Sequence, residues 1–161
     1  DVKGIAIYGW VPYVGAMIGA FFGGLLAQNR LKAGWTINKT RKTVISLGCL
    51  IMLPCFYLLS DPGSPVNAVI IMAVLLFGFQ TAIGNIQTLP SDLFGKKTVG
   101  TLAGLSGMSA KFAGVGLTSL VATLTLGGNY TPAFIVGAVL TLIVLASVWI
   151  LCPKIGPLKA K

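Results

Sequence analysis

The chain has 161 residues, of which 55% are hydrophobic and only 9% are charged. Soluble domains carry roughly 25% charged residues, so this composition excludes an ordinary soluble fold. The sequence contains no His and only three acidic residues, which removes most of the groups needed for a zinc site, a carboxylate pair or a Ser-His-Asp triad. We therefore expect no metal, no cofactor and no enzymatic activity.

The net charge of +9 does not indicate a nucleic-acid partner. The Lys and Arg residues lie in short segments between apolar runs, which is typical of membrane topology and not of a basic binding face. The three cysteines, Cys49, Cys55 and Cys152, stand in or at the end of apolar runs. Their odd number and their surroundings predict free thiols.

Five apolar runs follow one another along the chain, at residues 5–26, 43–60, 66–89, 99–126 and 131–152. Each is long enough to cross a bilayer, which needs about 20 apolar residues. The sequence therefore predicts an all-α integral membrane protein with five transmembrane helices and the lipid bilayer as its partner. Hydrophilic connections occupy 27–42, 61–65, 90–97 and 127–130, and Ser91 or Asp92 is expected to cap a helix in the third of them.

The basic residues predict the orientation of the helices. Ten of the 12 lie in the first connection, the third connection and the C-terminal tail, which assigns all three to the cytoplasm and the N-terminus to the outside. No signal peptide is visible. Five crossings that begin outside the cell fit poorly as a complete protein. We therefore expect a further helix upstream of this sequence, with its own start in the cytoplasm.

The first run carries small residues at four-residue spacing, Gly15, Gly19 and Gly23. Such a stripe lets a neighbouring helix approach closely, so we expect tight helix packing here.

The third run carries a polar stripe within an arc of about 160°, formed by Gln80, Thr81, Gly84, Asn85, Gln87 and Thr88. Amides that faced lipid would lack hydrogen-bond partners, so the stripe must face other helices or water. Two interpretations stay open at this point. The amides either hold helices together or line a hydrophilic cavity.

The fourth run contains Lys111 on the same face as several small residues, about 18 Å from the cytoplasmic end at 1.5 Å per residue. A lysine at that depth is too far from the surface for easy snorkelling and costs roughly 3 kcal/mol on insertion scales, so it is a functional candidate. The alternatives are a structural ion pair with an acid outside this sequence, or a frayed segment that leaves Lys111 near the surface.

Three segments resemble one transporter family. They are residues 23–42 (GGLLAQNRLKAGWTINKTRK), 87–94 (QTLPSDLF) and 99–107 (VGTLAGLSG). They are similar to the loop between helices eight and nine, the end of helix ten and the start of helix eleven in the major facilitator superfamily, and most of all to its anion:cation symporter branch, which includes hexuronate and galactonate transporters. Gln28 stands where that branch usually has Asp, and Thr36 where it has Ser.

The resemblance implies helices eight to twelve of a twelve-helix transporter, without helix seven and the N-terminal half. Such proteins move small organic anions, commonly with protons, by rocking two halves around a midplane site. The resemblance implies that residues of helices ten and eleven face that site. With Asn85 from the polar stripe, the candidate substrate-binding residues are Gln80, Asn85, Gln87, Ser106, Ser109 and Lys111.

The expected function is secondary active transport of a small organic anion, such as a hexuronate or another sugar acid, coupled to protons across the bacterial inner membrane. The partners are the solute and the missing N-terminal half of the same chain. The alternatives are a neutral-sugar or sugar-phosphate carrier and a non-transporting membrane assembly subunit.

Overall fold

The computed structural model describes residues 8–94, 96–153 and 155–156, apart from the side chains of residues 96 and 97. The described residues fold into α1 (Val11–Lys32), α2 (Ile37–Ser60), α3 (Pro65–Gln87), α4 (Leu89–Leu93), α5 (Lys96–Leu124) and α6 (Thr131–Ile150). Five stretches of helix are long and apolar enough to cross a membrane, which confirms the predicted fold class. The basic residues Lys154, Lys159 and Lys161, used in the topology prediction, lie outside the described residues. So do residues 1–7, which include Lys3 and the beginning of the first predicted run.

The first connection is much shorter than predicted, because α1 and α2 extend into it and leave only residues 33–36 outside helices. Gly34 has a φ of +84°, and the N–H groups of Gly34 and Trp35 donate to the carbonyls of Leu31 and Arg30, 3.0 and 3.1 Å away. This is a Schellman motif. Thr36 then begins α2 by accepting a hydrogen bond from the Lys39 N–H.

The third connection also differs from the prediction. Neither Ser91 nor Asp92 caps a helix, because both lie inside α4, whose N-cap residue is Thr88. Pro90 stands in the first turn of α4, where its missing N–H costs no hydrogen bond. The Ser91 hydroxyl donates back to the Thr88 carbonyl, and Asp92 pairs with a residue of α2.

Glycines set the close packing of α3 against α1 and α2. A Cβ at Gly15 or Gly19 would collide with the α3 backbone at Ala73 or Phe77, and one at Gly23 would lie 2.9 Å from the Thr81 Cα. The prediction of tight packing along this stripe is confirmed. On the other side of α3, a Cβ at Gly48 of α2 would lie 2.6 Å from a backbone carbonyl of α3.

The core lies where α2, α3 and α6 meet, and it is built from Ile45, Cys49, Ala82 and Val148. Cys49 and Cys55 are buried and Cys152 is partly exposed, and all three are free thiols as predicted.

The end of α6 is fastened to the beginning of α2. The Trp149 Nε1–H donates to the Ser46 hydroxyl at 3.1 Å. Lys42 is only 7% exposed. Its ammonium lies 4.8 Å from the centre of the Trp149 ring and donates to the Pro153 carbonyl at 3.2 Å.

Helix α5 contrasts with the other membrane-length helices, because none of its residues with a described side chain is buried. Its neighbours are α4 and α6, and it packs on both of them only lightly. The face with Gly104 and Gly107 is open, since an added Cβ would meet nothing within 4 Å at either residue. A long apolar helix normally packs one face against other helices, and the described residues form no such packed face on α5.

Candidate functional site

The predicted site residues divide between two helices that the structure does not pack together. Three lie on α3 and three on α5, and α5 is not among the close neighbours of α3. The α3 residues are Gln80, Asn85 and Gln87, and the α5 residues are Ser106, Ser109 and Lys111.

Asn85 is 3% exposed, and both polar atoms of its side chain are engaged. Its Nδ2 donates to the carbonyls of Thr81 at 3.0 Å and Gly23 at 3.4 Å. Its Oδ1 accepts from the Arg41 guanidinium at 2.8 Å. Asn85 thus joins α3 to α1 and α2, which is the first of the two roles considered for the stripe. Contact with a solute stays a prediction for this residue.

Thr81, one turn earlier on α3, repeats the connection to α1. It is fully buried, and its hydroxyl oxygen lies 2.8 Å from the Phe77 carbonyl and 3.1 Å from the Gly19 carbonyl. The close approach that the glycines allow therefore brings α1 carbonyls within hydrogen-bonding reach of α3 side chains. Such bonds between membrane helices contribute about 0.6 kcal/mol each on average.

The other flank of the stripe is open. Gln80 is half-buried and Gln87 is exposed, and a Cβ at Gly84 between them would meet nothing within 4 Å. At 100° per residue, these three positions lie within about 60° of one another on α3, while Thr81 and Asn85 point toward the packed side. This flank is the part of α3 that could line a cavity.

Arg41 is the centre of a polar cluster where α2 meets α4. Its Nε donates to Asp92 Oδ2 at 2.7 Å, and the two side chains are only 14% and 16% exposed. A second guanidinium nitrogen, Nη2, lies 3.5 Å from Asp92 Oδ1. The third, Nη1, donates to Asn85 Oδ1. The guanidinium fork suits such multiple bonding, which an ammonium could not reproduce with the same geometry.

Lys111 lies near the middle of the 29-residue helix α5 and is exposed. A shallow concavity beside it is lined by α5 alone, through Ala110, Lys111, Gly114, Val115, Thr118 and Ser119. The hydroxyls of Thr118 and Ser119 donate to carbonyls one turn earlier on the same helix. In the described part of the chain, Lys111 has no ion pair. Its charge is therefore open to a group that approaches α5 from outside the five helices.

The chain is similar to transporters of organic anions. It is 31% identical over 156 residues to the hexuronate transporter of Escherichia coli strain K12, an alignment that covers 92% of this chain and 34% of the relative. It is 27% identical over 157 residues to a protein of Cupriavidus necator named "probable sulfoacetate transporter", with 93% and 35% covered. The D-galactonate transporter of E. coli strain CFT073 is 25% identical over 126 residues, with 78% and 29% covered.

These relatives confirm the predicted resemblance to the anion-transporter branch of the major facilitator superfamily. The chain spans about one third of the length of the curated relatives it matches. These relatives are named as transporters, which confirms the prediction that the chain is not an enzyme. No family model and no solved structure matches the chain.

Two features of the structure were missed from the sequence. One is the Arg41–Asp92 pair, whose members are separated by 51 positions. The other is the cluster of Arg30 and Lys39 around Trp35. The Gly-Trp-Thr sequence could have indicated the second, because a Gly after a helix and a Thr before the next one together fix the residue between them.

Proposed function

We propose that the chain forms helices eight to twelve of a twelve-helix secondary transporter that moves a small organic anion, such as a hexuronate, by alternating access. The similarity to the hexuronate transporter over 92% of the chain carries this proposal. The named solutes of the other two relatives, galactonate and sulfoacetate, are also acid anions. What these solutes share is an acidic group on a small polar molecule.

Within this proposal, the chain is an incomplete C-terminal half. The alignments cover about one third of each relative, which supports assigning the first helix of this half and the whole N-terminal half to the remaining two thirds. The open face of α5 is consistent with a partner from that part. In facilitator folds the solute site lies between the two halves.

Lys111 supplies the positive charge of the proposed site. A carboxylate that binds it would offset the cost of placing an ammonium deep in the membrane. Gln80 and Gln87 on the open flank of α3, with Ser106 and Ser109 on α5, would bind the hydroxyls of the solute. Asn85 would support these contacts from the packed side of α3, where it bonds to α1 and α2.

The proposed proton coupling needs an acid that can change its charge inside the membrane. Asp61 follows the end of α2, and Asp92 lies in α4 paired with Arg41. Neither stands in the middle of a membrane span. We therefore propose that the proton-binding carboxylate lies in the part of the transporter outside this chain.

Uptake by the full-length protein in proteoliposomes tests this function. We expect saturable uptake of labelled glucuronate, accelerated by an inward proton gradient and abolished by a protonophore. An excess of unlabelled galacturonate should compete, whereas glucose and glucose 6-phosphate should not. Competition by glucose alone would favour a neutral-sugar carrier, and competition by glucose 6-phosphate alone would favour a sugar-phosphate carrier. If none of these solutes is taken up, a non-transporting subunit is favoured.

A further inference from the structure

A basic and aromatic cluster occupies the corner between α1 and α2. The Arg30 guanidinium carbon lies 4.8 Å from the centre of the Trp35 ring, and the Lys39 ammonium lies 4.1 Å from it. Both distances are within the range of cation–π attraction, roughly 6 Å. The indole therefore holds two like charges near each other at an exposed site.

The backbone fixes the three residues of this cluster relative to one another. The Trp35 N–H donates to the Arg30 carbonyl at 3.1 Å, which ties the ring to the last turn of α1. The Lys39 N–H donates to the Thr36 hydroxyl at 3.2 Å, which ties the first turn of α2 to the residue after Trp35. The cluster is built on two helix ends and needs little ordering when a ligand binds.

The charges of Arg30 and Lys39 are not neutralised by the described part of the chain. Its two described acids are elsewhere, since Asp92 pairs with Arg41 and Asp61 follows the other end of α2. Both side chains are exposed. Together they offer up to eight N–H donors to an anion, five from the guanidinium and three from the ammonium.

The position of the cluster indicates which anion it meets. Membrane spans α1 and α2 end and begin at this corner, so the cluster lies at the level of the lipid headgroups. Tryptophan favours that level because its ring is apolar and its N–H is polar. Basic groups there attract anionic lipid, at about 1 kcal/mol per Lys or Arg.

We propose that Arg30, Trp35 and Lys39 form a binding site for the phosphate headgroup of an anionic phospholipid. The guanidinium and the ammonium bind the phosphate oxygens, and the indole lies against the glycerol and upper acyl region. This site is separate from the proposed solute site, and it does not depend on which solute is carried.

The experiment is a titration of the purified full-length protein with dioctanoyl phosphatidylglycerol, using dioctanoyl phosphatidylcholine as the zwitterionic control. We choose about 0.5 M salt, where the Debye length is only about 4 Å and diffuse attraction is screened. The test variant is Arg30→Gln/Lys39→Gln. The matched control is Lys32→Gln, which removes an exposed charge from the same corner and lies outside the Trp35 cluster.

We expect the double variant to weaken phosphatidylglycerol binding at least tenfold, and Lys32→Gln to weaken it less than twofold. Trp35→Leu should cost several-fold, while Trp35→Phe, which keeps an aromatic face, should stay within twofold. Arg30→Lys/Lys39→Arg should retain most of the affinity, because it keeps both charges. Arg30, Lys32 and Lys39 are exposed and Trp35 is partly exposed, and equal thermal midpoints would show that the variants are folded.

Three results would overturn the proposal. The first is an equal loss in Lys32→Gln and in the double variant, because this would mean general attraction without a site. The second is equally tight binding of phosphatidylcholine. The third is displacement of phosphatidylglycerol by inorganic phosphate added at the same concentration as the lipid. The site would then bind the free anion and not a lipid.

Discussion

The basic residues of this chain differ in role according to what lies beside them. Arg41 is bonded to Asp92 and Asn85, and Lys42 is buried against Trp149. Lys111 is exposed along an unpacked helix. The topology prediction counted Arg41 and Lys42 alike and set Lys111 apart. In the structure, Arg41 and Lys42 are both engaged within the chain, and Lys111 is open to another molecule.

The Arg41–Asp92 pair should show measurable coupling in the free energy of unfolding. Both side chains are mostly buried, so removing one partner leaves the other charge poorly solvated. In a double-mutant cycle of Arg41→Gln and Asp92→Asn, we expect a coupling energy of at least about 1 kcal/mol. Denaturation of the full-length protein in detergent measures it. Lys32→Gln combined with Asp92→Asn is the control, and a coupling energy near zero for the Arg41 cycle would contradict the contact.

At the scale of the element, the helices that pack are those with glycines at the contact. Gly19 and Gly23 let α1 lie against the α3 backbone, and Gly48 does the same for α2. Association of membrane helices depends on such close approach, because lipid gives little hydrophobic driving force between helices.

Adding a methyl group at Gly19 should destabilise the bundle. Its Cβ would collide with the backbone of α3 at Phe77, and backbone cannot move aside as a flexible side chain can. We expect Gly19→Ala to lower the free energy of unfolding by roughly 1–3 kcal/mol. Gly24→Ala is the matched control on the same helix, since its Cβ would meet nothing within 4 Å.

That control should be neutral or slightly stabilising, because Ala is the better helix former. Unfolding of both variants in a denaturing detergent series gives the comparison. Equal stability of the Gly19→Ala and Gly24→Ala proteins would contradict the α1–α3 contact.

The sequence predicted elements better than it predicted contacts. Five apolar runs are a long-range signal, and all five became membrane-length helices. The helix ends near Gly34 were missed, because hydrophilic residues such as Arg30 and Lys32 continue α1 on its solvent side. The Asp92 partner was missed because pairing across 51 positions depends on the tertiary fold. For the site, periodicity placed Gln80, Asn85 and Gln87 on one polar stripe. It did not show that Asn85 bonds to α1 and α2 while Gln87 stays exposed.

At the scale of the whole molecule, the chain spans about one third of the length of the relatives it matches. Four of its membrane spans pack into a unit through α1–α3, α2–α3 and α2–α6, and α5 remains largely uncovered. Under the proposed function, this uncovered helix with its central lysine is the expected contact for the rest of the transporter.

The predicted topology can be tested by cysteine labelling of the full-length protein in intact cells. Asp61 and Ala33 are exposed residues at opposite ends of α2. With Cys49, Cys55 and Cys152 replaced, a membrane-impermeant maleimide should label Asp61→Cys from outside, and Ala33→Cys only after permeabilisation. The reverse pattern would contradict the orientation derived from the basic residues.

The most direct measurement is glucuronate uptake by full-length protein carrying Lys111→Gln. This change keeps a hydrogen-bonding side chain but removes the charge, and charged hydrogen bonds contribute roughly 1.5–3 kcal/mol. We expect uptake to fall tenfold or more at unchanged expression and thermal stability, with Lys32→Gln as a control that transports normally. A Lys111→Gln protein that folds and transports glucuronate at the wild-type rate would contradict the claim that Lys111 binds the anionic solute.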